Sequence, residues 1–244
     1  MNAIETFNLT KRFNGIKWLD GLSVCIESGK ITSIIWPNWS GKSTLVNVLT
    51  WITDITSWHV ILDKNKTLVK IKSVENLQHS ITRTFQESRL FNQMTVLDNL
   101  IVTLTKRNFL KSFFENPNKK YSKKAEEILL RVNLFEKKDE LANNLSYWQR
   151  KLLEIARIIS MDTKIIFLDE PFAWLFPEII KIIVSIIKKL KEEWKTIVLI
   201  EHNMDLIRQL SDKVIVLDGG KLLAEWLPWE VLSRKDVMEA YLGE

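Results

Sequence analysis

Three short segments carry residues whose types and spacing suit work on phosphates. The first is Ile35-Trp36-Pro37-Asn38-Trp39-Ser40-Gly41-Lys42-Ser43-Thr44. It follows an apolar strand and opens a helix. A phosphate-binding loop has the form G-x-x-x-x-G-K-[ST]. Gly41, Lys42 and Ser43 fit that form, and Trp36 stands where its first glycine belongs. Such a loop curls backbone N–H groups around phosphates at a helix N-terminus. Lys42 would reach the β- and γ-phosphates, and the Ser43 hydroxyl would bind Mg²⁺. The second segment is Ile165-Ile166-Phe167-Leu168-Asp169-Glu170-Pro171. Two carboxylates at the end of an apolar strand are costly unless they are used or paired. Asp169 suits Mg²⁺ coordination, directly or through water, and Glu170 suits a general base that polarises water. An acidic turn after a strand is the plain alternative. The third segment is Leu145-Ser146-Tyr147-Trp148-Gln149-Arg150-Lys151, where Ser146 by itself would be a helix N-cap.

Strands and helices must place these segments. Ala3 to Leu9 alternates like a strand, and Ile31-Thr32-Ser33-Ile34-Ile35 suits a buried one. Leu45 to Leu49 begins a helix, while Val60-Ile61-Leu62 and Ile81 to Phe85 are further strand candidates. From about 90 to 160 the chain becomes polar and helix-forming. The basic run Lys119 to Lys124 in that stretch suits a solvated loop. Strand–helix alternation then returns, with strands at Ile165–Leu168, Thr196–Ile200 and Val214–Leu217 and a helix over Glu178–Glu193. The pattern predicts an α/β core interrupted by a helical subdomain.

Composition excludes several classes. The 244 residues can bury a full core without staples. Cys25 is the only cysteine, so no disulfide framework exists. No stretch approaches the roughly 18 consecutive apolar residues of a membrane span. The N-terminus MNAIETFNLTKRF lacks an apolar signal core, which argues against secretion. A net charge of +5 without a basic, aromatic-interleaved stripe gives no ground for nucleic-acid binding.

Taken in this order, the three segments resemble those of the ATP-binding-cassette ATPases over essentially the whole chain. The family signature LSGGQ stands here as Leu145-Ser146-Tyr147-Trp148-Gln149. The resemblance implies a P-loop α/β core with an N-terminal antiparallel β part (1–87 and 161–244) and an inserted helical subdomain (88–160). It implies ATP contacts from Phe13, which would stack on adenine, from residues 36 to 44 (Trp36, Pro37, Asn38, Trp39, Ser40, Gly41, Lys42, Ser43, Thr44) and from Ser146, Tyr147, Trp148 and Gln149. Mg²⁺ would be held by Ser43, Gln86 and Asp169. Catalysis would fall to Glu170, to His202 at the γ-phosphate, and to Gln86 near the attacking water. A single cassette cannot complete a site, so a head-to-tail dimer with a like or unlike ATPase is implied. Membrane-spanning permease subunits, and indirectly a solute-binding protein, would complete the partners, with the chain peripheral on the cytoplasmic face. Pro171-Phe172-Ala173, Leu175-Phe176-Pro177, Ile200-Glu201-His202-Asn203-Met204 and the ending Glu239-Ala240-Tyr241-Leu242-Gly243 resemble one branch, the ATPases of branched-chain amino acid importers. A soluble cassette ATPase of repair or translation fits less well, since such proteins carry paired cassettes or coiled-coil inserts.

The departures share one pattern. Trp36, Trp39, Trp51, Trp58, Trp148, Trp174 and Trp194 stand where the resemblance calls for glycine, and Trp226 and Trp229 lie in a glycine-prone turn region. The chain has 7 Gly and 10 Trp, and together these restore the usual glycine share of about 7%. Some bacterial lineages read the UGA codon as glycine where other codes read tryptophan. Decoding such a gene with the wrong table gives this pattern. If the tryptophans are instead real, indoles at 36 and 39 should clash with the loop or its nucleotide, and an inactive scaffold or regulatory subunit is the alternative.

Overall fold

The computed structural model describes residues 1–13, 16–36, 42–50, 60–62, 66–68, 80–84, 89–105 and 117–242. The chain divides into two compact units. One comprises Met1–Arg83, Lys164–Glu170 and Lys188–Glu244, the other Thr84–Thr163 and Pro171–Ile187.

The first unit opens with β1 (Asn2–Thr6), β2 (Leu9–Phe13), β3 (Ile16–Leu22) and β4 (Cys25–Glu27). The alternation over Ala3–Leu9 is not one strand. Asn8 adopts a left-handed φ of 48°, which ends β1 and lets β2 begin. There follow β5 (Ile31–Ile35), α1 (Lys42–Leu49), β6 (Val60–Leu62), β7 (Lys66–Leu68) and β8 (Ile81–Arg83). One antiparallel sheet runs β4-β1-β6-β7, and β2 pairs with β3. Cys25 sits half-buried on β4, and burial pushes its thiol above the ordinary range, with Lys213 offsetting part of the effect. The thiolate is the nucleophile, so Cys25 should alkylate slowly at neutral pH and rapidly in denaturant, as titration with iodoacetamide would show.

The larger sheet has the order β12-β11-β5-β10-β9-β8, built with β9 (Ile165–Asp169), β10 (Thr196–Ile200), β11 (Lys213–Asp218) and β12 (Lys221–Trp226). Only β12 runs antiparallel to its neighbour. Every residue of β5 and β10 is buried, as expected for parallel strands covered on both faces.

In the second unit α2 (Val96–Leu104) packs on α3 (Pro117–Arg131) and on α4 (Tyr147–Met161). The Thr95 hydroxyl caps α2 by accepting from the Asp98 amide. The basic run is helical, contrary to the loop its composition suggests. Lys120, Lys123 and Lys124 are exposed on α3 while Ala125 and Leu129 are fully buried, so the charges occupy the wet face of an amphipathic helix. A further helix, α5 (Pro177–Glu192), is followed in the first unit by α6 (Met204–Leu210), α7 (Pro228–Val231) and α8 (Lys235–Leu242). Among the described residues no helix is long and apolar enough to cross a membrane.

Candidate nucleotide-hydrolysis site

Parallel register brings the chemistry-bearing residues to one edge. Ile200 pairs with Asp169 on one side and with Ile34 on the other. The carboxyl ends of β9, β10 and β5 therefore align, and ligands of open α/β sheets bind at that edge. Asp169 ends β9, Glu170 follows it, and His202 lies two residues past the end of β10. Trp36 follows β5, and Lys42, Ser43 and Thr44 open α1. Pro37, Asn38, Trp39, Ser40, Gly41 and Gln86 lie outside the described residues.

The Glu170 Oε1 and His202 Nε2 atoms are 2.9 Å apart. Glu170 holds a left-handed φ of 46°, and its amide donates to the Ile200 carbonyl at 3.0 Å. A strained non-glycine residue at a strand end, held by its neighbour strand, is a common device for aiming a functional side chain. Glu201, almost fully buried, accepts from the His202 and Asn203 amides and so shapes the turn that presents His202.

Asp169 meets a residue to which sequence reasoning gave no role. Arg83 at the end of β8 donates from Nη2 to Asp169 Oδ2 at 3.2 Å. Its Nη1 donates to Asn47 Oδ1 at 2.7 Å and to Thr50 Oγ1 at 3.1 Å on the helix that follows the loop. A guanidinium in a buried strand is costly unless paired, and that cost is the one signal in the sequence that could have pointed to Arg83. The donor chemistry fits Mg²⁺. Half-buried carboxylate oxygen is a hard ligand, and Mg²⁺ sites usually take one or two carboxylates plus phosphate and water. Among the described residues no group of three or more His, Cys, Asp or Glu is placed to hold a metal.

In the second unit Ser146 precedes α4, and the Gln149 side chain folds back to accept from the Ser146 amide at 2.8 Å. The Tyr147 hydroxyl donates to the Ala173 carbonyl at 3.4 Å, tying this helix start to the loop after the acidic pair. Phe13 ends β2.

The sequence pattern of the ABC transporter family matches residues 19–173. The chain belongs to the ABC transporter ATPases. A relative from Pseudomonas aeruginosa, the high-affinity branched-chain amino acid transport ATP-binding protein BraF, is 35% identical over 99% of this chain and 98% of its own. A probable branched-chain amino acid transport ATP-binding protein LivG from Methanocaldococcus jannaschii is also 35% identical, over 100% of this chain and 98% of its own. A nucleotide-free ATP-binding cassette from an ABC transporter superposes with a TM-score of 0.86 at 33% identity, covering both chains completely. This cassette is thus an ATP-binding α/β protein whose ATPase activity serves transport.

Its tryptophans fall into physically distinct groups. Trp174 and Trp194 both have φ of 60°. Trp194 closes α5 as a Schellman motif, with its own amide on the Lys191 carbonyl and the Lys195 amide on the Leu190 carbonyl. The same pair of bonds closes α3 at Asn133, which also has positive φ and is a residue type that tolerates it. Glycine is the usual occupant of such a position. Substituting Trp194→Gly in the tryptophan-bearing chain should raise stability by about 1–2 kcal/mol, measurable by denaturant unfolding. Trp36 differs from the clash expected of it. Its indole is fully buried in the same apolar cluster as Ile34, Leu45 and Val46, but its Nε1 finds no acceptor among the described residues. An orphaned buried donor costs about 1–3 kcal/mol. Trp148 lies within the first turn of α4, where φ makes no demand for glycine. Trp226 and Trp229 are exposed on the C-terminal surface, and Trp39, Trp51 and Trp58 lie outside the described residues.

Proposed function

We propose that this cassette is the ATP-hydrolysing subunit of an importer for branched-chain amino acids. We propose also that its tryptophans at glycine positions are UGA codons that the source organism reads as glycine. The observation that carries the first reading is the Glu170–His202 pair, 2.9 Å apart at the carboxyl edge of the sheet beside the end of the phosphate-loop strand. The names of the relatives support the solute class. The left-handed φ at Trp174 and Trp194 supports the second.

In this reading Lys42 and the loop N–H groups bind the phosphates of ATP, and Phe13 stacks on the adenine. Glu170 accepts hydrogen-bonding from the attacking water and draws its proton as the γ-phosphoryl group leaves. His202, fixed by Glu170 and the Glu201 turn, donates toward the γ-phosphate. Ser43, Asp169 and Gln86 would hold Mg²⁺, which neutralises developing phosphate charge when bound. Ser146 to Gln149 of a second cassette would close over the γ-phosphate, with their helix-start N–H groups aimed at the anion. A solved bacterial ABC transporter cassette, 26% identical with a TM-score of 0.80, is dimeric. Residues 88–160 act as the helical subdomain, and 1–87 with 161–244 as the core, on the cytoplasmic face of the membrane beside permease subunits. The test is transport of radiolabelled leucine into vesicles holding the cassette with its permeases. ATP-dependent uptake is expected, and ATP hydrolysis without uptake of any branched-chain amino acid would remove the solute assignment.

A further inference from the structure

Residues 89–95 are held by an expensive arrangement of buried polar and charged groups. Asn99 is fully buried in α2, and its side chain serves one purpose. It accepts from the Phe91 amide at 2.9 Å and donates to the carbonyls of Phe91 at 3.0 Å and Thr95 at 2.9 Å. Arg157, ten residues into α4, lays its guanidinium over the Phe91 ring at 5.0 Å and donates from Nη1 to the Arg89 carbonyl. Burial lowers the pKa of Arg157, and its Nε has no acceptor among the described residues. A charge kept in such surroundings costs free energy that a leucine would not. The same segment is bonded to the stretch before the signature. The Ala142 amide donates to Met94, the Asn143 amide to Asn92, and Thr95 bridges to Leu141. Arg150 of α4 in turn donates to the carbonyls of Asn143 and Leu145.

We infer that Arg157 is a positioning residue that locks residues 89–95 to the signature helix, so that residues 89–95 and the Ser146–Gln149 turn move as one block. Phe91 and Met94 are themselves partly exposed, so the block presents side chains outward on a stiff mount. Arg157 then has no part in hydrolysis by the separate cassette and a large part in hydrolysis driven by an attached membrane subunit. Only this last consequence rests on the transport reading.

The test uses full-length glycine-bearing protein with Arg157→Ala, Arg157→Lys and the milder Phe91→Leu. Amide hydrogen exchange should quicken about tenfold over residues 89–95 in Arg157→Ala and Phe91→Leu, with exchange in α4 unchanged. Lysine keeps the charge without the planar fork, so Arg157→Lys should rescue only part of the protection. In transporter purified with its permeases, stimulation of ATP hydrolysis should fall about tenfold with KM for ATP unchanged, while the separate cassette stays within twofold. Unchanged exchange at 89–95 would overturn the proposal, as would loosening spread evenly through α2 and α4 or equal losses with and without permeases. If no permease co-purifies, the transport reading fails, and the exchange pattern still decides the role of Arg157.

Discussion

Glu170→Gln is expected to cut ATP turnover by about 10²–10⁴-fold, the usual contribution of a positioned general base. ATP binding should survive, because the substitution keeps the shape of a side chain that follows β9 and removes only its basicity. The backbone reason for expecting a specific effect is the left-handed φ of 46° at Glu170, supported by the bond from its amide to Ile200. That support is main-chain and is retained by glutamine. The 2.9 Å contact with His202 can also be kept, with the imidazole N–H donating to the glutamine amide oxygen or the amide N–H donating to the imidazole nitrogen. His202→Ala should then lower turnover less than Glu170→Gln at saturating ATP, since it removes a phosphate contact and not the base. Single-turnover hydrolysis alongside fluorescent-ATP binding separates the two effects. Equal loss of binding and turnover in Glu170→Gln would place Glu170 in the fold and not in the chemistry.

The second large effect concerns glycine at positions 36, 39 and 148. Protein carrying glycine there is expected to hydrolyse ATP at least about 10²–10³-fold faster than protein carrying tryptophan, the loss associated with even one displaced anion-binding N–H donor. Trp148 stands in the first turn of α4, whose N–H groups a second cassette's γ-phosphate would have to reach. At Trp36 the side chain is buried in the core and strands an indole N–H. Expressing both versions of the gene in one host and comparing steady-state phosphate release would measure the ratio. A ratio near one would show that neither loop depends on close backbone approach.

Candidate site residues stand out in the sequence where chemistry needs rare combinations of residue types. Gly41-Lys42-Ser43, Asp169-Glu170 and the helix-starting Ser146 are such candidates, because few other arrangements of those residues are useful. The buried strands β5, β9 and β10 were legible for a related reason, as short apolar runs ending at polar loops. Features that depend on a single dihedral were not. Asn8 splits the first strand by taking a positive φ, and nothing in the alternation of Ala3–Leu9 signals that. The lysines before Ala125 looked like a loop because charge dominates a short window, whereas the buried positions that make the stretch a helix lie further along it. Arg83 and Arg157 were overlooked because a cation's value lies in distant partners, Asp169 in one case and Phe91 with Arg89 in the other. The tryptophans worked in the opposite direction. Their positions were informative as a set, and the structure adds that two of them occupy backbone conformations suited to glycine while another is an imperfect guest in the core.

Both the nucleotide site and the signature turn depend on what stands at those positions in the native protein. A mass spectrum of the tryptic peptide Ile31 to Lys42, from protein made by the source organism, addresses this most directly. Residues 36 and 39 are expected to weigh as glycine, which leaves the phosphate loop open for ATP. Tryptophan masses at both positions would contradict the account and leave a cassette-shaped protein that binds partners without hydrolysing ATP.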